Sequence, residues 1–423
     1  MPVAAALLVA GIATYVFFVV GEDAVGGKDR FAPLSSLWFA TFALAPGFFL
    51  PLEQELGRAI GHRRAIGHGG RPVAAKVARL GLMLGGLVAV AIFAAGPWIA
   101  DAYFGGNWVM VAALIVAFLS YAPAHLARGI CSGSGRFRPY AVIMGADGLV
   151  RLALCLLLFA IGTQAVGWYG FAIAVSPLVG IGFIASRGSL RTEPGPEASW
   201  SEVTPNLGWL LLGSVFAAGL LNAGPVLVRL LADASLDERV TEFGYGVLLA
   251  RVPLFMFQAV QAALLPRLSR LAASGNFVEF RAGLRKLLIL VVAVGLIGSV
   301  SALSLGPFIL ETVYQTTLGG GTLAILAGGS ACYMLALALA QAVIALKGHN
   351  LVGIGWATGM AALAVGAWLS SDDVFRRVEI GLLCSSVASA VFFAAALRHC
   401  LRSGARPDDA SVLVAFTDMP IES

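Results

Sequence analysis

Twelve long apolar segments constrain the fold of this chain more than any other feature of its sequence. As a helix, each segment is long enough to cross the ~30 Å hydrocarbon core of a bilayer, where backbone groups must bond to one another. Charged residues make up only 12% of the chain, whereas a soluble domain carries about 25%. The sequence therefore predicts an all-α polytopic membrane protein with twelve transmembrane helices. They lie near residues 3–21, 32–56, 73–99, 107–130, 138–162, 165–186, 206–231, 242–265, 283–309, 320–345, 350–370 and 378–400.

The chain repeats itself at an offset of about half its length. GPWIADAYFG begins at Gly96 and GPFILETVYQ begins at Gly306, 210 residues later. Arg-rich turns follow both the second segment (PLEQELGRAIGHRRA) and the eighth (ALLPRLSRLAASGN), and Gly135 and Gly348 are 213 residues apart. Because six helices is an even number, this duplication predicts two parallel six-helix repeats, related by an axis along the membrane normal, with a cavity between them.

The positions of Lys and Arg predict the orientation of the chain in the membrane. Of the 28 basic residues, 20 fall in segments on the side of the amino terminus, 6 on the opposite side and 2 inside spans. The positive-inside rule then places both termini in the cytoplasm, and the predicted location is the cytoplasmic membrane. The predicted organisation is an N-terminal lobe, a cytoplasmic linker, a C-terminal lobe and a short cytoplasmic tail: residues 1–186, 187–205, 206–402 and 403–423.

Two stretches resemble bacterial lipid-linked oligosaccharide (polysaccharide export) flippases, which belong to the superfamily that includes the multidrug and toxin extrusion (MATE) transporters. They are GEDAVGGKDRFAPLSSLW (21–38) and YGVLLARVPLFMFQAVQAALLPRLSRLAASGNFVEFRAGLRK (245–286). The resemblance implies a V-shaped MATE-like fold and alternating-access export of a polyprenyl-pyrophosphate-linked oligosaccharide for cell-wall or surface polysaccharide synthesis. The implied partners are this anionic glycolipid and membrane lipids, with glycan polymerases or glycosyltransferases as further candidates.

Polar side chains inside the predicted spans are the candidate substrate-binding residues, because a charge there costs about 2.5–3.5 kcal/mol on insertion scales. Arg251 lies about ten residues into the eighth predicted helix, which lines the cavity in the resembling family. Its guanidinium suits a pyrophosphate, and the alternative is a clamp onto backbone carbonyls of another helix. Arg229 is predicted either to snorkel to the interface or to line the cavity. The other cavity candidates are Asn222, Gln258 and Gln261.

Four further residues have predicted structural roles within the membrane. Asp147 and Arg151 lie four residues apart, so they are expected to form an intramembrane ion pair on one helix face. Pro225 should kink its helix, and Pro253 should give the turn seen in the resembling family, which makes both candidate hinges. No metal site is predicted, since the cysteines and histidines lack ligand spacing.

Three other classes of function remain open. A cation-coupled multidrug exporter of the same fold usually needs a membrane-buried carboxylate, and Asp147 is the only acid well inside a predicted span. A polyprenyl-dependent membrane glycosyltransferase would use acids such as Glu22, Asp23 and Asp29 of the first external loop. A transport-inactive scaffold would keep only the fold. The sequence holds no Walker A, nucleophile-elbow or H-E-x-x-H motif, so neither a catalytic residue nor a cofactor is predicted, and nucleic acid is not an expected partner.

Overall fold

The computed structural model describes residues 2–203, 207–254, 257, 271, 276–346 and 348–402, and these residues form α-helices without any strand. Eleven of the described helices are long and apolar enough to cross a membrane. The chain is therefore a multi-pass, all-α membrane protein, as predicted. The helices are α1 Pro2–Val25, α2 Lys28–Ala65, α3 Arg71–Ala94, α4 Gly96–Phe104, α5 Trp108–Gly133, α6 Phe137–Ala160, α7 Val166–Ser186, α8 Leu207–Leu231, α9 Asp237–Ala250, α10 Phe277–Ser304, α11 Gly306–Tyr314, α12 Gly320–Ala345, α13 His349–Leu369 and α14 Val374–Arg402.

The predicted span at 242–265 is described only in its first half, so the count of twelve spans stays a prediction. α9 ends at Ala250, Arg251 lies in a turn and residues 252–254 are helical again. Pro253 gives the reason, because it has no N–H to donate to the carbonyl of Leu249 and its ring clashes with that carbonyl. Arg251 therefore lies at a helix break and not within a continuous helix.

The chain divides into two compact units: unit 1 contains residues 1–207 and 229–241, and unit 2 contains residues 208–228 and 242–423. This division differs from the predicted lobes in two segments. Residues 187–203, predicted to be a separate linker, pack on unit 1, where the amide N of Arg71 donates to the carbonyl O of Glu193 at 3.0 Å. The segment 229–241, which runs from the end of α8 into the first half of α9, also belongs to unit 1. There the Thr241 hydroxyl donates to the carbonyl O of Lys28 at 3.0 Å.

The internal duplication is visible in the packing within each unit. α5 contacts α3, α4 and α7 in unit 1, and α12 contacts α10, α11 and α14 in unit 2. Glycines allow close helix approaches at corresponding places in the two units: a Cβ on Gly148 would lie 2.8 Å from Cα of Ala10, and one on Gly359 would lie 2.8 Å from Cδ1 of Leu220. Gly359 and Leu220 follow Gly148 and Ala10 by 211 and 210 residues. The repeat predicted from the sequence is thus a repeat of helix contacts as well.

A Gly-Pro step divides each of two predicted apolar runs into a long and a short helix. The runs at 73–99 and 283–309 were predicted to be continuous, but α3 ends at Ala94 and α10 ends at Ser304. The proline that follows, Pro97 or Pro307, has no N–H for the preceding turn and a φ suited to the first turn of a new helix. The two new helices, α4 and α11, have nine residues each.

Candidate functional site

The guanidinium of Arg251 is buried in unit 2, where it binds α8. Arg251 is 4% exposed. Its Nη1 donates to Oδ1 of Asn222 at 2.8 Å, and its Nη2 donates to the main-chain carbonyl of Leu221. The Asn222 amide nitrogen donates in turn to the carbonyl O of Ala218 at 3.2 Å. The structure therefore brings together two of the predicted cavity residues, Arg251 and Asn222.

Pro225 explains why a carbonyl of α8 can accept this hydrogen bond. Leu221 lies four residues before Pro225, and in an α-helix its carbonyl would accept from the N–H that proline lacks. An unsatisfied backbone group in hydrocarbon costs several kcal/mol. Arg251 supplies the missing donor, so its contact has the geometry of the interhelix clamp, one of the two alternatives that the sequence left open.

A small cavity adjoins Arg251 within unit 2. Its volume is about 30 Å³, which is room for about two water molecules. Ser330, Tyr333 and Ser386 line it together with Arg251, and the Tyr333 hydroxyl donates to the carbonyl O of Ala217 at 3.0 Å. The cavity is too small for a sugar ring, but it has room for water beside the guanidinium.

Arg229 caps a helix end in unit 1 instead of lining a cavity. Its Nε donates to the carbonyl O of Tyr103 at 2.8 Å, in the last turn of α4, and its Nη1 pairs with Asp237 at the start of α9. The last carbonyls of a helix lack intrahelical donors and favour a cation. Arg229 is also buried, so the structure supports neither the snorkelling nor the cavity role predicted for it.

Asp147 and Arg151 do not form the predicted ion pair. The Asp147 carboxylate accepts hydrogen bonds from the Tyr121 hydroxyl on α5 at 2.9 Å and from the Ser176 hydroxyl on α7 at 2.7 Å. Arg151 donates through Nη2 to Oγ1 of Thr14 on α1 at 2.9 Å. The two side chains share a helix face, but hydroxyl groups on three neighbouring helices take their place as partners.

Arg151 is the most fully buried cation of unit 1. It is 1% exposed, and the rings of Phe17 and Phe42 lie 5.6 Å and 5.3 Å from its guanidinium carbon. Its Nε and Nη1 have no hydrogen-bond partner among the described residues. Cation–π contacts offset part of the cost of burying this charge.

The remaining predicted site residues contribute less. Gln258 and Gln261 lie outside the described residues. Pro253 packs against α10, since a Cβ on Gly298 would lie 2.8 Å from Cγ of Pro253. Within the described ranges, no three His, Cys, Asp or Glu residues are grouped so that they could hold a metal ion.

Solved structures match the chain over nearly its whole length. A multidrug resistance MATE family transporter of the MOP superfamily, in an inward-facing conformation, superposes with a TM-score of 0.70 and 14% identity, covering 94% of this chain and 98% of that one. A point mutant of the Vibrio cholerae MATE transporter VcmN gives 0.67 and 14%, covering 97% of both chains. This chain has the MATE fold. The predicted fold class is therefore confirmed.

Sequence comparison adds a mycobacterial relative. The uncharacterized protein Rv1510 of Mycobacterium tuberculosis is 26% identical over 418 residues, which covers 94% of this chain and 90% of the relative. No protein-family model matches the sequence. At these levels of identity, the solved structures establish the MATE fold of the chain and leave its substrate to be proposed.

Within its MATE fold, the chain holds a buried polar cluster in unit 1 that the sequence analysis missed. Glu53 on α2 accepts from Nε of Arg128 at 3.0 Å and from the Tyr140 hydroxyl at 2.8 Å, and it lies 2.8 Å from Nδ1 of His125. Nη2 of Arg128 lies 2.7 Å from Nδ1 and 3.1 Å from Nε2 of His125. The negative charge of the Glu53 carboxylate is balanced by the positive charge of the Arg128 guanidinium. The cluster links α2, α5 and α6.

A second basic residue fixes the segment 187–203 onto unit 1. Arg63 donates to the carbonyl oxygens of Gly69, Pro196 and Glu197 and binds both carboxylate oxygens of Glu202. The hydrogen bond from Arg63 lowers the pKa of Glu202 to about 2. The segment thus forms a strap across the loop after α2, held at one point by a charged pair.

Proposed function

We propose that this chain is an alternating-access transporter that exports a polyprenyl-pyrophosphate-linked oligosaccharide across the cytoplasmic membrane, with both termini in the cytoplasm. The fold supports the transporter class, since the solved structures that share it are described as MATE transporters. The proposal that the substrate is anionic rests on one observation, the contact of the Arg251 guanidinium with α8. Glycan polymerases or glycosyltransferases would supply or consume such a lipid and are the proposed partners.

Arg251 can exchange its present partners for a phosphate. The acceptors that hold its Nη1 and Nη2, the Asn222 amide and the Leu221 carbonyl, are both neutral. A phosphate would add a full negative charge opposite the guanidinium, and the planar fork of arginine fits phosphate with two parallel hydrogen bonds. A pyrophosphate that reached Arg251 would compete with α8 for these donors, while water in the adjoining cavity could take over the Leu221 carbonyl.

The energetics of the substrate require such a cation. Moving an ionised group into a medium of low dielectric costs tens of kcal/mol by Born estimates. A guanidinium inside the membrane offsets much of that cost, whereas the polyprenyl tail can remain in lipid throughout. Rocking of helix bundles around a midplane site would then move only the headgroup.

The test is complementation of cells depleted of this chain, with the level of the protein measured in the same cells. Arg251→Ala is expected to block growth and to accumulate the lipid-linked glycan on the cytoplasmic face. Arg251→Lys should retain partial activity, because it keeps the charge and loses the fork. Arg377→Ala is the matched control, since Arg377 also donates to a backbone carbonyl, that of Ala367 at 2.6 Å. Full complementation by Arg251→Ala at normal protein level would refute the proposal.

A cation-coupled multidrug exporter is the second candidate. The observation that favours it is the Asp147 carboxylate inside unit 1, held by Tyr121 and Ser176, together with the multidrug description of one structural neighbour. Here Asp147→Asn should abolish drug resistance conferred by the overexpressed chain, and Arg251→Ala should leave it intact. If the overexpressed chain confers no drug resistance, and complementation is lost in Arg251→Ala but kept in Asp147→Asn, the flippase is favoured.

A further inference from the structure

α4 and α11 expose matched aromatic residues where α3 and α10 end. Trp98 of α4 is 61% exposed and Phe308 of α11 is 68% exposed. Each directly follows the proline of the Gly-Pro step, and the two are 210 residues apart. The same exposed position thus occurs independently in unit 1 and unit 2, which a chance surface residue would not do.

Each short helix buries one side against its own unit and exposes the other. The buried positions lie four residues apart, on one helix face, and they are Ala100 and Phe104 in α4, and Leu310 and Tyr314 in α11. An acid is exposed on the edge of the outer face in both helices, at Asp101 and at Glu311, again 210 residues apart. On a helical wheel the aromatic residue lies on the outer face, with the acid toward one side of it.

The outer faces continue an apolar surface that the membrane covers. The spanning helices before them expose long rows of apolar side chains: Leu82, Met83, Leu87, Val90 and Phe93 on α3, and Leu296, Ile297, Val300 and Leu303 on α10. In a membrane-spanning helix such rows contact lipid. Trp98 follows Phe93 by five residues, and Phe308 follows Leu303 by five, so each aromatic residue lies where a lipid-facing row ends.

Both short helices are fixed in place. In unit 1, the Tyr103 hydroxyl donates to the carbonyl O of Ser36 at 3.0 Å, and Arg229 binds the carbonyl of Tyr103. In unit 2, Tyr314 stacks on Tyr245 with ring centroids 4.3 Å apart. The directions in which Trp98 and Phe308 point are therefore set by the fold.

We propose that α4 and α11 are interfacial anchor helices whose partner is the lipid bilayer itself. Each lies along the surface of the membrane, inserts Trp98 or Phe308 at the boundary between acyl chains and headgroups, and keeps Asp101 or Glu311 in water. Aromatic side chains prefer that boundary, and amphipathic helices lie in its plane. The anchors fix the depth at which α3 and α10 end in the bilayer. This inference does not depend on the proposed substrate.

Spin labels on single cysteines test the anchors in the full chain. The background carries replacements of the native cysteines Cys131, Cys155, Cys332, Cys384 and Cys400. The protein is reconstituted in vesicles of phosphatidylcholine and phosphatidylglycerol, with labels at positions 98, 101, 308 and 311. Collision with oxygen, which concentrates in lipid, should exceed collision with a water-soluble nickel complex at 98 and 308. The order should reverse at 101 and 311, and a label at position 93 serves as the lipid-facing reference.

Three alternative outcomes would overturn the proposal. Labels at 98 and 308 that are immobile and shielded from both reagents would show that a protein surface covers them. Labels there that resemble those at 101 and 311 would place the whole outer face in water. A lipid signature at only one of the two positions would refute the matched pair. Because the labelled side chains are exposed, their replacement should leave the fold intact, which circular dichroism of each labelled protein verifies.

Discussion

Arg251 donates a hydrogen bond to the carbonyl of Leu221, the group on α8 that Pro225 leaves without its helical donor. The donor for this carbonyl of α8 therefore comes from a side chain that follows α9, and the same side chain is the proposed ligand of a pyrophosphate. Binding of an anion and the local geometry of α8 become linked through one guanidinium. An arginine with only a structural role would not couple the binding of an anion to the geometry of α8.

A double-mutant cycle measures the linkage. Arg251→Ala should lower the free energy of unfolding by roughly 1–3 kcal/mol in the wild-type background, because the Leu221 carbonyl is left buried without a donor. In a Pro225→Ala background the restored N–H satisfies that carbonyl, so Arg251→Ala should cost less. The coupling should be about 0.5–3 kcal/mol, measured by thermal unfolding in detergent. Equal costs in both backgrounds would show that Pro225 and Arg251 act independently.

The strap at 187–203 should loosen in acid. The bound carboxylate of Glu202 has a pKa of about 2, below its ordinary value of 4.5. A lowered pKa means that the contact stabilises the strap fully above about pH 5 and that this contribution is lost as the pH falls toward 2. Cleavage of the strap by pepsin, measured at each pH relative to cleavage of an unstructured peptide, should therefore accelerate as the pH falls across this range. Glu202→Gln should flatten the pH dependence of cleavage, whereas Glu197→Gln, at an exposed neighbour, should not.

Local sequence rules predicted the spans and the repeat because both depend on residues close together in the chain. The Gly-Pro steps at Gly96 and Gly306 identified the duplication, and Pro225 identified the place where α8 lacks a backbone donor. The ends of α3 and α10 were predicted five residues too late, at 99 and 309 instead of Ala94 and Ser304, for a related reason. The apolar character of the sequence continues across a Gly-Pro step, although one helix ends there and another begins.

Partners from distant segments could not be predicted in the same way. The spacing of Asp147 and Arg151 favoured an ion pair, but hydroxyls from α1, α5 and α7 compete successfully, and only the packing of those helices reveals them. The cluster around Glu53 was missed because its acid comes from α2 while His125 and Arg128 come from α5. The three-residue spacing of those two bases was the one available sign that they share a helix face.

Breaking the cluster around Glu53 should destabilise unit 1. Glu53→Leu leaves the Arg128 guanidinium, whose side chain is 15% exposed, without its counter-ion, a change that costs up to about 3–5 kcal/mol for a fully buried pair. The double variant Glu53→Leu with Arg128→Met should recover much of the loss, because no buried charge remains. Thermal unfolding in detergent gives the comparison, with Asp372→Ala at an exposed position as the control, expected to change the free energy of unfolding by less than about 0.5 kcal/mol. A double variant less stable than Glu53→Leu alone would contradict a charge-balance role.

The residues that end α4 and α11 offer a matched pair of substitutions. Both adopt the left-handed conformation, Gly105 with φ 60° and Gln315 with φ 47°, and Gln315 is the only described residue other than glycine with a positive φ. A side chain in this conformation costs about 1–2 kcal/mol.

Gly105→Gln should therefore lower the melting temperature of the purified protein. Gln315→Gly removes that strain but adds freedom to the unfolded chain, so it should raise the melting temperature by a smaller amount. Gln315→Asn should fall between glycine and glutamine, because asparagine tolerates this conformation better than most side chains. If Gln315→Gly instead lowered the melting temperature, contacts of the glutamine side chain would outweigh its backbone strain, and the ends of the two repeated helices would not be equivalent.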